Sequence, residues 1–137
     1  MKIVSACLAG ANCRYNGQAK PHPKVLEMVR RGEAIPVCPE QMGGLPTPRP
    51  PAEQRGKKVF TNKGDDVTDA FTRGAEEALR VAQLAGCDEA ILKSRSPSCG
   101  SGKVYDGTFS GKLVGGDGVF AKLLKENGIK VKSEEEL

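Results

Sequence analysis

Residues 2–13 read KIVSACLAGANC, a short apolar run that breaks into Cys, Gly and Asn. The run at 3–6 is too brief for a helix and opens with β-branched Ile3 and Val4, so it predicts a buried strand that ends at Cys7. Two further runs repeat the pattern: Ala34–Val37 leads straight into Cys38, and 90–92 is followed seven residues later by Cys99. A weaker fourth strand is predicted at 129–131. Helical periodicity fills the spaces between them. The best case is 67–85, where Phe71, Ala75, Ala78, Leu79, Ala82 and Ala85 recur at three- and four-residue spacing. A shorter helix is predicted after Pro23, carrying Val25, Met28 and Val29, and another over 118–127. Asp66 and Asp117 are the expected N-caps, Gly86 and Gly128 the expected stops. Strands alternating with helices imply crossover connections and a mainly parallel sheet of about four strands, an α/β fold.

Two stretches fall outside this alternation. Residues 38–56 hold five prolines (Pro39, Pro46, Pro48, Pro50 and Pro51) and three glycines, which predicts an ordered functional loop without regular elements. Residues 94–116 are rich in Ser and Gly, with a hairpin predicted at 105–108. A length of 137 residues suits one domain over 1–137. Apolar residues at 38% and charged residues at 28% mark a globular chain rather than a disordered one. The net charge of +4 is spread along the chain, and aromatics at 4% leave no basic stripe with interleaved rings, so nucleic acid is not an expected partner. The apolar start is too short for a signal segment or a membrane span, and the reading is of a cytoplasmic monomer.

In a reducing compartment five cysteines are better explained by metal binding, redox chemistry or catalysis than by disulfides. Loops leaving the carboxyl ends of parallel strands converge on one crevice. Cys7, Cys13, Cys38 and Cys99 all lie in such loops, so at least three of them are expected to share a site. Cys87, between the long helix and the third strand, belongs to the opposite edge and reads as core filler. Soft thiolates suit zinc or an iron–sulfur cluster. No C-x-x-C knuckle of the structural zinc kind is present, since five residues separate Cys7 from Cys13. A four-iron cluster accepts ligands from scattered loops, and with three cysteines it keeps one iron open as a Lewis acid. A strand followed by a cysteine loop also describes low-molecular-weight phosphatases, but those place Arg where this chain has Cys13, and Arg14 comes one residue late.

Five segments, SACLAGANCRYNG (5–17), VCPEQMGGLPTPRPPAE (37–53), GDDVTDAFTRGA (64–75), KSRSPSCG (93–100) and YDGTF (105–109), resemble the thiouracil desulfurase (desulfidase) family of small bacterial proteins. The resemblance implies a Rossmann-like, three-layer domain with a 4Fe-4S cluster on three cysteines. The ligands it implies are Cys38, Cys99 and either Cys7 or Cys13. It further implies Glu40 as the acid/base that activates water and Ser96 as a hydrogen-bonding residue beside it. The implied reaction is hydrolytic, non-redox desulfuration of a small thiolated nucleobase with release of hydrosulfide; a thiolated tRNA base stays open as a substrate. Two other readings compete: a metal-free thiol or persulfide carrier working through Cys7 and Cys13, and a metal-binding module without catalysis.

The remaining candidates read as structural. Arg14, Arg49 and Glu53 are expected to anchor loops, Asp66 and Thr68 to start a helix, and His22 to sit structurally between two prolines. Gly43–Gly44 and Gly115–Gly116 match no phosphate-binding fingerprint and are read as points of close backbone approach.

Overall fold

The computed structural model describes all 137 residues, Met1–Leu137. Four short strands, β1 (Lys2–Ser5), β2 (Ala34–Val37), β5 (Glu89–Leu92) and β8 (Lys130–Ser133), pair in the order β2-β1-β5-β8 with every neighbour parallel. Successive residues of a strand face opposite sides of the sheet, and both sides are covered here. Ile3, Ala90 and Leu92 share one core with α3 (Thr68–Leu84) and α4 (Val119–Glu126), contributed by Ala75, Ala78, Ala82, Phe120 and Leu124. Val4, Ile91 and Ala34 share the other with Val25 of α1 (Pro23–Arg30) and with Cys7, Leu8 and Cys13. The result is three layers. Double coverage is why the central strands read as continuous apolar runs rather than alternating ones.

Helix boundaries follow local chemistry with two shifts. Asp66 does serve the start of α3, accepting from Thr68 N and Thr68 Oγ1 through Oδ1, but the capping position is Val67. The cap of α4 is Gly118 rather than Asp117, whose carboxylate instead accepts from Gly102 N and Lys125 Nζ, both at 2.8 Å. Gly86 (φ 68°) and Gly128 (φ 78°) turn left-handed just past the two helices, as the sequence predicts.

The proline-rich stretch is not free of regular elements. It opens with a single turn, α2 (Pro39–Met42), and closes with β3 (Ala52–Arg55), which pairs antiparallel with β4 (Lys58–Thr61) around Gly56 and Lys57. Gly56 adopts φ 59°, which a two-residue hairpin turn demands. The second hairpin, β6 (Lys103–Tyr105) with β7 (Leu113–Gly115), is joined by 106–112, wider than the turn predicted at 105–108. The cause is Glu53 of β3: its Oε1 accepts from Gly107 N at 3.0 Å and Phe109 N at 3.1 Å, pulling those amides away from a tight turn. No helix is long and apolar enough to cross a membrane.

Helices α2 and α3 touch backbone to backbone. A Cβ on Gly43 would collide with Ala70 O, and one on Gly74 with Pro39 O. This approach fixes Cys38 and Glu40, which flank Pro39, relative to the sheet. Replacing Gly74 by Ala must drive the two helices apart and is expected to destabilise by about 1–3 kcal/mol or more, read from urea denaturation midpoints.

Candidate functional site

The sheet order carries the site. The chain leaves β1 for β2 on one side through α1 and later reaches β5 on the other side of β1 through α3, so the connections diverge at the carboxyl ends of β1 and β5, where α/β folds open a crevice. Ser5 bridges the two ends, its Oγ accepting from Lys93 N at 2.9 Å. Cys7 sits in the 3-10 turn Ala6–Ala9 that follows β1, and Cys38 directly follows β2. Cys99 is carried by the loop after β5.

These thiols meet. Cys13 makes side-chain contacts with both Cys38 and Cys7, and Cys38 Sγ lies 3.8 Å from Cys13 O. Cys99 feels the charge of both Cys38 and Glu40. All five cysteines are free, and the four at this edge are buried or half-buried. Cys87 is buried between α3 and β5 at the amino end of the sheet, away from the others.

Burial and mutual contact raise the pKa values of Cys13, Cys38 and Cys99. Contact with Cys38 draws the Cys13 pKa down, but Cys7 and burial outweigh it and push it up to about 11. Contact with Cys13, then burial, raises Cys38. Burial pushes Cys99 up to about 12 against the Ser5 hydroxyl, which favours its thiolate. Metal binding would displace these protons, since thiolates rather than thiols are metal ligands. No group of three or more His, Cys, Asp or Glu side chains is placed to hold a metal ion. A mononuclear zinc needs its donors within about 2.3 Å of one point, whereas a cluster spreads cysteines over separate irons. Soft donors from three loops, without disulfides, fit the cluster that the sequence resemblance implies.

Arg49 ties the loops together. Its side chain is 5% exposed, and Nε donates to Glu40 Oε1 at 3.0 Å. Nη2 donates to Cys13 O at 2.8 Å, and Nη1 to Thr47 Oγ1 and Pro46 O. Its backbone N–H donates to Tyr15 O. One guanidinium therefore fastens the Cys13 loop to the proline-rich loop and to the carboxylate beside Cys38. The sequence gives Arg49 and Glu53 anchoring roles; Arg49 pairs with Glu40, while Glu53 accepts from the amides of Gly107 and Phe109. Burial raises the Glu40 pKa, with Arg49 opposing.

The Cys99 loop is held from both ends. Ser96 Oγ accepts from Ser98 N at 3.1 Å and Cys99 N at 2.9 Å. The first amides of α4 are satisfied by this loop: Val119 N donates to Pro97 O, Phe120 N and Ala121 N to Ser98 O, and Gly118 N to Gly100 O. Gln54 of β3 adds donations to Pro97 O and Asp117 O. Ser5, Gln54 and Ser98 were not singled out from the sequence. Lone polar residues carry no motif, and the one available signal was their position at a strand end or beside a cysteine. His22 caps α1 through Nδ1, and Thr68 Oγ1 accepts from Val59 N, both structural as expected. A cavity of about 240 Å³ opens along the same edge, lined by Leu8, Lys20, Lys93, Arg95 and Glu134 among others. None of the cysteines lines it.

Arg49→Ala leaves the Glu40 carboxylate buried and unpaired, a loss expected to cost on the order of 3–5 kcal/mol at neutral pH. Because burial raises the Glu40 pKa above its usual 4.5, the protonated acid is favoured in the folded chain. The deficit should therefore be smallest below pH 4.5 and grow as the pH rises, in denaturation curves measured against wild type.

Comparison with known proteins agrees with the geometry. The chain is 45% identical over 147 aligned positions to the uncharacterized protein YbbK of Bacillus subtilis (strain 168), an alignment covering all of this chain and 97% of that one. The solved structure of TudS (DUF523Vcz), described as a [4Fe-4S]-dependent thiouracil desulfidase, superimposes with a TM-score of 0.94 at 49% identity, covering 98% of this chain and 91% of TudS. The sequence profile of the 2-thiouracil desulfurase family matches residues 3–136, and the chain belongs to that family.

Proposed function

We propose that this chain hydrolytically removes sulfur from a thiolated nucleobase such as thiouracil, replacing C=S by C=O and releasing hydrosulfide, at a 4Fe-4S cluster. The observation that carries the reading is the contact of Cys13 with both Cys7 and Cys38 at the carboxyl edge of the sheet, with free Cys99 in the loop that leaves the neighbouring β5 at the same edge. It is supported by family membership and by the likeness to TudS. Cys38, Cys99 and one of Cys7 and Cys13 are the proposed ligands. When bound, a cluster held by three cysteines supplies a Lewis-acidic iron for the substrate sulfur without a net redox change.

The rest is the work of the chain. Glu40 Oε1 is taken by Arg49, leaving Oε2 to accept a proton from water adding at the thiocarbonyl carbon. Its raised pKa lets that carboxylate hold the proton and return it to the departing sulfur. Arg49 keeps the carboxylate aimed while it does so. Both acceptor directions of Ser96 Oγ face the amides of Ser98 and Cys99, so its hydroxyl proton is available to a ring nitrogen or exocyclic atom of the base. The contact between Cys13 and its neighbours favours a second reading, a metal-free thiol or persulfide carrier. Although Cys38 draws it down, Cys7 and burial push the Cys13 thiol up to about 11, and such a thiol is a poor nucleophile at neutral pH, which weighs against it.

Anaerobic reconstitution should give a brown protein with about four irons per chain that releases hydrosulfide from 2- or 4-thiouracil. Glu40→Ala should retain the iron and lose at least about a hundredfold in rate, the span of a positioned acid/base. Of Cys7→Ser and Cys13→Ser, one should lose the cluster. A colourless protein, or full activity in Glu40→Ala, contradicts the reading.

A further inference from the structure

The chain leaving β5 outruns both neighbouring strands, and two side chains take over where the ladder stops. β1 ends at Ser5 and β8 at Ser133, which pairs with Leu92, the last residue of β5. The next two amides go to opposite neighbours. Lys93 N donates to Ser5 Oγ on the β1 side at 2.9 Å. Ser94 N donates to both carboxylate oxygens of Glu134 on the β8 side, at 2.9 and 3.2 Å. Glu134 is presented there because the chain leaves β8 in a capped turn, in which Ser133 N donates to Glu136 Oε2 and Ser133 Oγ accepts from Glu135 N. The carboxylate thus stands in for the next ladder carbonyl, and it is the one acceptor of the amide of buried Ser94. Lys93 Nζ lies 3.6 Å from Glu134 Oε1 and donates to Ser94 O and Oγ. The Glu134 and Lys93 side chains are 12% and 18% exposed, so little water competes for these contacts.

The turn into the site comes directly afterwards. Arg95 has φ 64°, a left-handed conformation that costs energy in a non-glycine residue and persists only where its surroundings impose it. Ser96 follows, with its hydroxyl on the amides of Ser98 and Cys99. The other supports of Arg95 are a bridge to Val104 and an exposed pair with Glu135 at 3.1 Å, and exposed pairs contribute little.

We propose that Glu134 is a positioning residue for the desulfuration: by holding the Ser94 amide it fixes the left-handed turn at Arg95 and, through that turn, where Ser96 and Cys99 stand at the site. The proposal rests on the reading above, in which Ser96 meets the substrate and Cys99 holds an iron. Removing the carboxylate leaves a buried amide without an acceptor, and the turn relaxes toward an ordinary backbone conformation. Displacing a substrate-orienting group by about 1 Å costs up to about a hundredfold in rate.

The test is a double-mutant cycle on the anaerobically reconstituted protein, with kcat/KM for thiouracil taken per iron-loaded chain and amide hydrogen exchange followed in parallel. Glu134→Ala should lower kcat/KM by about ten- to a hundredfold and speed exchange over 94–99 while α3 exchanges as in wild type. Glu134→Gln, which keeps an oxygen for Ser94 N, should stay within about threefold of wild type. In a Ser96→Ala background the further loss on adding Glu134→Ala should shrink to about twofold or less, because the group being aimed is gone. Equal losses in the two backgrounds indicate a general structural defect and overturn the proposal, as does wild-type activity in Ser96→Ala, or wild-type activity or unchanged exchange in Glu134→Ala. Where Glu134→Ala takes up no iron, Glu134→Asp, whose shorter side chain draws the carboxylate off Ser94, replaces it in the cycle with the same two outcomes. A reconstituted wild type that releases no hydrosulfide ends both the proposal and the reading beneath it, whereas additive losses in an active protein end the proposal alone.

Discussion

The placement of β1 between β2 and β5, all three parallel, is the constraint from which the rest follows. A parallel neighbour brings strand ends of the same polarity together, so residues just past each carboxyl terminus must crowd one edge. Cys7 and Cys38 come from adjacent strands, and Cys99 arrives from the other flank of β1, in a loop whose first residue, Lys93, is tied to the end of β1 by the Ser5 hydroxyl. The two cores on either face of the sheet also meet here. Cys7 and Cys13 belong to the α1 side, Cys99 to the side of α3 and α4.

Converging loops still need to be held, and the polar groups do this without spending the thiols. Arg49 ties the Cys13 carbonyl, Glu40 and the start of the proline-rich loop through one planar guanidinium, a geometry that Lys cannot reproduce. The Cys99 loop plugs the free amides of α4 while Gln54 and Asp117 fasten its far side. In a low-dielectric setting such ties are strong, and the same setting raises the pKa values of Cys13, Cys38 and Cys99. Rigid supports around soft, uncharged donors make a site whose electrostatic balance is completed by a cation-bearing group.

Much of this was legible in the sequence because it rests on local signals. The apolar runs at Ile3, Ile35 and Ile91, the spacing of Ala75, Ala78 and Ala82, and the glycine stops at Gly86 and Gly128 each act within a few residues. The positions of Cys7 and Cys38 directly after β1 and β2 were legible in the same way. What stayed hidden depends on distant partners. The β3–β4 hairpin has strands dominated by Glu, Gln, Arg and Lys, and its stability comes from Gln54 and Glu53 reaching the 97–109 region. Asp117 gave up the helix cap to Gly118 because Gly102 N and Lys125 Nζ compete for its carboxylate, a contest invisible along the chain. The hub role of Arg49 is likewise a property of packing.

The central claim is that thiolates from three separate loops hold one inorganic centre at the carboxyl edge of the sheet. Crystals of the anaerobically reconstituted protein, measured at wavelengths on either side of the iron absorption edge, test it most directly. The account predicts a single compact anomalous peak bonded to the sulfurs of Cys38, Cys99 and one of Cys7 and Cys13, with one iron free of cysteine. Iron bound elsewhere, or a centre that leaves Cys38 or Cys99 unbonded, would contradict it.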